Sequence, residues 1–222
     1  MLNIAVLVSG GGTNLQALLD AQARGEIPGG RISLVVASRP DAYALERAKK
    51  AGVATAVLRR KAFGAQADYD AALLRVLEEN GTGLVILAGF MTIVSPAVIH
   101  AYENRMLNIH PSLIPSFCGE GFYGLHVHEA ALARGVKVTG ATVHFVNEIC
   151  DGGPIVLQKA VAVEPGDTPE VLQRRVMEQA EWKLLPRAAA LFCAGRLAVR
   201  DGCVEIAPEP PAQENGEEPK CR

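Results

Sequence analysis

The chain has 222 residues and a formal net charge of −2, with 49% hydrophobic and 21% charged residues. This length can bury a hydrophobic core in one or at most two domains, and the composition is ordinary for a globular protein. The charge balance disfavours nucleic acid as a partner, because binding to a phosphate backbone needs a concentrated Lys and Arg surface.

The first residues, MLNIAVLVSGGG, contain neither the basic segment of a signal peptide nor an apolar run long enough to span a membrane. The 5 cysteines are scattered without a C-x-x-C pair, which is typical of neither a disulfide framework nor a zinc site. We therefore expect a cytoplasmic protein with reduced thiols, no membrane association and no bound metal.

The first half of the chain alternates short apolar runs with helical patterns. Apolar runs predict buried strands at residues 3–8, 31–37, 53–58 and 84–88. Helical spacing predicts one helix capped by Thr13 or Asn14 and two more at residues 42–51 and 69–79. This alternation indicates βαβ units. We predict an α/β fold with a mainly parallel twisted sheet, helices on both faces and a Rossmann-like N-terminal half.

The second half has a different pattern. It predicts strands at residues 105–110, 140–146 and 155–163, a short helix at 128–133, and a long helix at 169–192 that breaks at Pro186. From Pro208 onward the sequence PEPPAQENGEEPKCR has almost nothing to bury. We predict a single domain over residues 1–207 and a disordered tail over residues 208–222.

A glycine-rich segment, SGGGTN at residues 9–14, separates the first predicted strand from the first helix. Glycines let the backbone approach an anion closely, and a helix N-terminus offers free N–H groups and the positive end of its dipole. The segment matches neither G-x-x-x-x-G-K-[ST] nor G-x-G-x-x-G. It favours a single phosphate over a triphosphate or a dinucleotide, while a tight turn without a ligand is the alternative.

Two polar residues, Asn108 and His110, lie two positions apart in a predicted strand that Pro111 ends. They share one face at the carboxyl end of that strand, where ligands bind in α/β sheets. An amide donor beside an imidazole suits acyl transfer, because the amide can stabilise an oxyanion while the imidazole handles a proton. The alternative is a core histidine bonded to backbone, and we expect His144 to be a packed, hydrogen-bonded residue of this kind.

The segment CDGGP at residues 150–154 is typical of a turn. The Asp151 carboxylate could instead face His110, raise the pKa of the imidazole by favouring its charged form, and orient a water molecule. The sequence leaves both interpretations open.

Five segments together resemble one family. VLVSGGGTNLQALLD, LAGFMTIVSP, LNIHPSLIPSF, GATVHFV and DGGPIVLQ occur in the order and spacing of the phosphoribosylglycinamide formyltransferases, folate-dependent enzymes of purine biosynthesis. The resemblance implies the formyltransferase fold. It also implies transfer of a formyl group from 10-formyltetrahydrofolate, as co-substrate, to the amine of glycinamide ribonucleotide, without a metal.

The resemblance also implies roles for individual residues. Asn108 would be the oxyanion donor, His110 the acid/base group and Asp151 its partner. The residues implied for substrate binding are Gly12, Thr13, Asn14 and Glu181. Those implied for folate binding are Met91, Thr92, Ile93, Val94, Asn147, Glu148 and Asp151.

The sequence departs from the family pattern at the phosphate site. Family members often have a basic residue near Gln66, whereas here Arg59, Arg60 and Lys61 lie upstream. Which of them assists phosphate binding is open at this point.

Two other functions compete with formyl transfer. One is formyltetrahydrofolate deformylase, a hydrolase that would use the same three polar residues to activate water. The other is a non-catalytic nucleotide-binding module. The sequence disfavours this function, because Ser38 and Arg39 occupy the positions where a ribose-binding carboxylate would be expected. We expect small-molecule substrates as partners, and a monomer or homodimer.

Overall fold

The alternating apolar runs of the sequence build one large sheet in the computed structural model, which describes residues 1–209. The strands are β1 (Leu2–Val8), β2 (Gly30–Ala37), β3 (Ala54–Val57), β4 (Thr82–Leu87), β5 (Met106–His110), β6 (Val138–Phe145), β7 (Ile155–Ala162), β8 (Leu197–Arg200) and β9 (Cys203–Ile206). The helices are α1 (Thr13–Ala23), α2 (Tyr43–Lys50), α3 (Gln66–Glu79), α4 (Pro96–Ala101), α5 (Leu125–Arg134), α6 (Pro169–Val176) and α7 (Trp182–Cys193).

The large sheet has the strand order β3-β2-β1-β4-β5-β6-β7. Strands β1 to β5 run parallel to one another, while β6 pairs antiparallel with both β5 and β7. The prediction of a mainly parallel α/β sheet with a Rossmann-like N-terminal half is therefore confirmed.

Strand β1 shows why the sheet carries helices on both faces. Its side chains alternate between faces, so Ile4 and Val6 pack into one core with α1, α2, α6 and α7, while Ala5 and Leu7 pack into a second core with α3 and α4. A strand buried on both faces reads as a continuous apolar run, as β1 does.

The strand order reverses at β1, which lies between β2 and β4. Loops that follow two strands diverging in this way leave a crevice at the carboxyl edge of the sheet. Ser9 connects the loop after β1 to the loop after β4 by two hydrogen bonds. Its N–H donates to the carbonyl of Gly89 over 3.1 Å, and its hydroxyl accepts from the N–H of Met91 over 2.8 Å.

The structure corrects two predictions about helices. Gly12, rather than Thr13 or Asn14, occupies the N-cap position of α1, with φ of 70°. The predicted break at Pro186 is also wrong, because α7 runs through this residue. Proline lacks the N–H that would bond the carbonyl four residues earlier and crowds that carbonyl, and the chain forms a π-helical turn (Met177–Glu181) just before α7.

Sequence patterns missed α4 and the hairpin formed by β8 and β9, because elements of six and four residues are too short to show a clear period. Pro208 and Glu209 are exposed and lie outside the helices and strands, while residues 210–222 of the predicted tail fall outside the described residues. The single domain over residues 1–207 stays a prediction. Over residues 1–209, no helix combines the length and apolar character needed to cross a membrane.

Candidate active site

Strand β5 brings two polar side chains to the carboxyl edge of the sheet. Leu107 and Ile109 point into the apolar core, so Asn108 and His110 share the other face. Asn108 is half-buried, and His110 is only 4% exposed. The sequence spacing therefore places both groups as expected at the end of a central strand.

The loop between β6 and β7 carries Asp151 to the same place. Gly153 lets this loop lie against β6, since a Cβ there would collide with the carbonyl of Phe145. Asp151 Oδ2 accepts from the N–H of Gly119 over 2.9 Å and lies 3.3 Å from His110 Nδ1. Asp151 Oδ1 lies 3.4 Å from the amide nitrogen of Asn108. The structure thus brings the three predicted catalytic residues into one cluster.

Both ring nitrogens of His110 have partners. Nε2 donates to the carbonyl of Phe117 over 2.8 Å, and Nδ1 faces Asp151. The 3.3 Å separation between Nδ1 and Asp151 is longer than a strong charge-assisted hydrogen bond. A substrate or water molecule can therefore compete for Nδ1.

Two opposing effects act on the pKa of His110. Burial lowers the pKa of the imidazole below its ordinary value, and this outweighs the opposing effects of the Asp151 carboxylate and the Phe117 carbonyl. Asp151 therefore acts in the expected direction and raises the pKa of His110, but the cost of desolvating a charged imidazole is larger and sets the net direction.

Asp151 shows the opposite balance. Burial alone would raise the pKa of its carboxyl, but the neighbouring His144 and His110 and the N–H of Gly119 together lower it below the ordinary value. The carboxylate is thus the anionic centre of this cluster.

His144 is buried and hydrogen-bonded to the carbonyl of Phe145, as expected, and it also belongs to this cluster. It lies directly opposite Asn108 in the register between β5 and β6, and opposed residues share a face of the sheet. Its Nε2 is 3.1 Å from the amide nitrogen of Asn108 and 3.6 Å from Asp151 Oδ1. The alternation of β6 indicates that His144 shares a face with Thr142. It does not show that this face carries Asn108, because that depends on the pairing of β6 with β5.

A second cluster joins the glycine loop to the π-helical turn. The amide nitrogen of Asn14 donates to Glu181 Oε2 over 2.6 Å, and the hydroxyl of Thr13 lies 3.8 Å from the sulfur of Met177. Gly12 has no room for a side chain, because a Cβ there would lie 2.6 Å from the Cβ of Ala44. The four residues predicted for substrate binding thus meet at the start of α1.

Glu181 is almost completely buried in this second cluster, with 6% of its surface exposed. Burial raises the pKa of its carboxyl to about 7, although the hydrogen bond from Asn14 acts in the other direction. Near neutral pH the group therefore exists in both protonated and ionised forms.

The residues predicted for folate binding lie in two loops. Met91, Thr92, Ile93 and Val94 follow β4, and Met91 and Ile93 are exposed apolar side chains. Asn147 braces the loop after β6, since it accepts from the N–H of Ile149 over 3.0 Å and donates to the carbonyl of Gly152 over 3.3 Å. Glu148 instead pairs with His100 over 2.7 Å.

Among the three basic residues upstream of Gln66, Arg60 is the one that contacts it. Arg60 Nε donates to Gln66 Oε1 over 2.6 Å, and Gln66 in turn donates to Asp70 over 2.7 Å. Arg60 thus brings a cation to the position where family members often have one. Its part in phosphate binding stays a prediction.

Other nucleophiles near the cluster are poorly suited to covalent catalysis. Burial and the charge of Asp151 raise the pKa of the thiols of Cys118 and Cys150, which disfavours the reactive thiolate. Ser112 is fully buried, and its hydroxyl donates to the carbonyl of Ser116 over 2.6 Å. Within residues 1–209, no group of three or more His, Cys, Asp or Glu side chains is arranged to hold a metal ion.

Comparison with known proteins gives the family. The model of the formyl transferase family matches residues 2–189. The phosphoribosylglycinamide formyltransferase of Escherichia coli (strain K12) is 42% identical over 200 residues, which cover 90% of this chain and 91% of that protein. The trifunctional purine biosynthetic protein adenosine-3 of Bos taurus is 46% identical over 199 residues, and the chain spans only 19% of its length.

A solved structure agrees with these relatives. Glycinamide ribonucleotide transformylase 1 from Symbiobacterium toebii superposes with a TM-score of 0.88 at 47% identity, covering 94% of this chain and 95% of that one. The chain therefore belongs to the formyl transferase family and, within it, to the phosphoribosylglycinamide formyltransferases.

Proposed function

We propose that this protein transfers the formyl group of 10-formyltetrahydrofolate to the amine of glycinamide ribonucleotide, a step of purine biosynthesis in the cytoplasm. The observation that carries the proposal is the convergence of Asn108, His110 and Asp151 at the carboxyl end of β5, with Asp151 3.3 Å from His110 and 3.4 Å from Asn108. An amide, an imidazole and a carboxylate in contact supply an oxyanion donor and a proton acceptor, which acyl transfer to an amine requires.

The reaction proceeds by direct attack of the amine on the formyl carbon. An N–H of Asn108 donates to the oxygen of the tetrahedral intermediate. The Asp151–His110 pair accepts the proton that the attacking nitrogen loses, through a water molecule. That proton returns to the folate nitrogen as the bond between carbon and this nitrogen breaks. No covalent bond to the protein forms.

The two clusters divide the work of binding. The N–H groups at the start of α1, with Thr13 and Asn14, hold the substrate phosphate as a remote anchor, and Glu181 contacts the ribonucleotide. The loops with Met91 to Val94 and with Asn147 and Glu148 hold the folate. Much of the acceleration then comes from orienting two substrates in one crevice.

The test is an assay of the full chain with 10-formyltetrahydrofolate, with and without glycinamide ribonucleotide, by formation of tetrahydrofolate. We expect turnover that depends on the amine. Asn108→Ala should lower kcat by about 100- to 1,000-fold through loss of the oxyanion donor. Asp151→Asn should lower it by about 100- to 10,000-fold through loss of the proton acceptor.

Asp201→Asn is the matched control. Asp151 and Asp201 both have a left-handed backbone, with φ of 54° and 49°, which asparagine adopts readily. The control changes the same carboxylate at the exposed turn between β8 and β9 and should leave kcat unchanged. Equal release of formate without the amine would indicate the deformylase instead, and no turnover under either condition would contradict both enzymes.

A further inference from the structure

His144 has one nitrogen whose hydrogen is fixed and one that can gain or lose a proton. The side chain is buried, with 2% of its surface exposed. Its Nδ1 lies 2.8 Å from the carbonyl oxygen of Phe145. A carbonyl oxygen only accepts, so Nδ1 carries a hydrogen in every charge state. The charge of His144 is therefore decided at Nε2, the nitrogen that faces Asn108.

The carboxamide of Asn108 is oriented by this nitrogen. Its Nδ2 lies 3.1 Å from His144 Nε2 and 3.4 Å from Asp151 Oδ1. An amide nitrogen only donates, so His144 is neutral in this arrangement and accepts at Nε2. Both amide hydrogens then point at protein partners. The carboxamide oxygen has no hydrogen-bond partner among residues 1–209 and is the atom left for a ligand.

An oxygen facing the ligand cannot stabilise an oxyanion, which needs an N–H. A half-turn of the carboxamide exchanges its oxygen and nitrogen with almost no change in shape. The oxygen of Asn108 then faces His144 Nε2 and Asp151 Oδ1. The two oxygens repel each other, so this arrangement is favourable only when a proton on Nε2 lies between them and is donated to them.

We propose that His144 is a positioning residue, and that its protonation at Nε2 turns the carboxamide of Asn108 so that an N–H faces the formyl oxygen of the substrate. This inference rests on the proposed formyl transfer. His144 contacts neither substrate; it orients Asn108, and its other polar neighbour is Asp151.

The charges around His144 support one added proton. The Asp151 carboxylate, 3.6 Å away, attracts an imidazolium at His144, and its other oxygen lies 3.3 Å from His110. Two imidazoliums beside one carboxylate would repel each other. A proton at His144 therefore leaves His110 neutral, with its Nδ1 able to accept the proton that leaves the amine.

The experiment compares His144→Gln and His144→Phe with the wild-type chain over a range of pH. Glutamine can donate an N–H to the oxygen of Asn108 at any pH, so it imitates the protonated imidazole without titrating. We expect wild-type kcat to fall at high pH as His144 loses its proton. The Gln variant should keep most of the optimal kcat without this fall, and the Phe variant should lose about 100-fold in kcat with unchanged KM.

A double variant tests whether His144 acts through Asn108. If it does, the combination of His144→Phe with Asn108→Ala should have the kcat of Asn108→Ala alone. Without the carboxamide of Asn108, His144 has no group left to orient. Losses that multiply in the double variant would overturn the proposal.

A purely structural role gives different results. A packed histidine should tolerate phenylalanine better than glutamine, and the Gln variant should keep the wild-type pH profile; either result overturns the proposal. Nitrogen-15 spectra of wild-type His144 give a second readout that survives misfolding of a variant. Spectra that show Nε2 without a proton at the pH of maximal transfer also overturn it. Absent transfer in the wild type would instead contradict the proposed function.

Discussion

At the scale of single residues, burial is the main influence on the ionisable groups of the candidate site. It lowers the pKa of His110 and raises that of Glu181, so both groups shift towards their neutral forms. Asp151 alone is held below its ordinary pKa, by the imidazoles and the N–H group that face it. One anion among largely neutral polar groups suits a cluster that must accept a proton without repelling an amine.

Glu181 should make stability depend on pH in a defined direction. Its pKa rises from 4.5 in the unfolded chain to about 7 in the folded one, so the folded chain binds more protons between these values. Its stabilising contribution is complete below the unfolded pKa and is lost as pH rises through the folded pKa. Relative to wild type, Glu181→Gln should therefore gain about 3 kcal/mol in the free energy of unfolding between about pH 4.5 and about pH 8.

Urea unfolding at several pH values measures this gain. Glu178→Gln is the control, because Glu178 lies in the same π-helical turn but is exposed and paired with Arg174. This variant should follow the wild-type curve. Parallel curves for Glu181→Gln and wild type would contradict the raised pKa.

At the scale of elements, the junction between β1 and α1 gives its three glycines two different tasks. Gly12 has φ of 70°, and a side chain there would meet the Cβ and Cα of Ala44 at 2.6 and 2.9 Å. Gly10 and Gly11 have no atom within 4 Å of the Cβ position. Gly12 therefore lets α1 begin in contact with α2, while Gly10 and Gly11 leave the open space that an anion needs at the helix N-terminus.

Gly12→Ala should lower the free energy of unfolding by about 2–4 kcal/mol, from the left-handed backbone and the overlap with Ala44 together. Gly10→Ala in the same loop is the matched control and should cost less than about 1 kcal/mol, since it meets neither obstacle. Chemical unfolding at one pH compares the two variants. Equal losses would show that contact between α1 and α2 does not depend on Gly12.

At the scale of the whole molecule, two buried groups affect acid stability in opposite directions. His128 on α5 is fully buried, and neither ring nitrogen has a hydrogen-bond partner among the described residues. Burial, with a smaller effect of His110, lowers the pKa of His128 to about 4. Because the unfolded chain binds this proton first, stability falls as pH drops from the ordinary value towards the folded one. Glu181 acts in the opposite direction over an overlapping range.

His128→Leu should remove the acid-sensitive part of this balance. Leucine has a similar size and no polar atom to bury, so the variant should gain about 3 kcal/mol over wild type at about pH 4 compared with about pH 7.5. Thermal or urea unfolding at both pH values measures the difference. His126→Leu, at an exposed position of the same helix, should show no such gain. A gain in both variants would mean that burial of His128 is not the cause.

Sequence reasoning failed where a side chain depends on a distant partner. His144 is packed and hydrogen-bonded as expected, but its contact with Asn108 was not foreseen, because the alternation of β6 does not say which strand pairs with it or in which register. Pro186 was expected to break a helix because its local cost is clear, whereas the π-helical turn that precedes α7 is not visible in the apolar spacing.

The sequence by itself determined the parallel α/β half of the fold, the position of the glycine loop after β1, and the shared face of Asn108 and His110. All three depend on the local spacing of apolar and polar residues, which a single segment contains. Only the tertiary structure decided that Asp151 lies against His110, that His144 faces Asn108, and that Asn14 reaches Glu181. The last two contacts join residues 36 and 167 positions apart. Tertiary structure also decided the direction of the His110 pKa, because desolvation depends on everything that packs around a group.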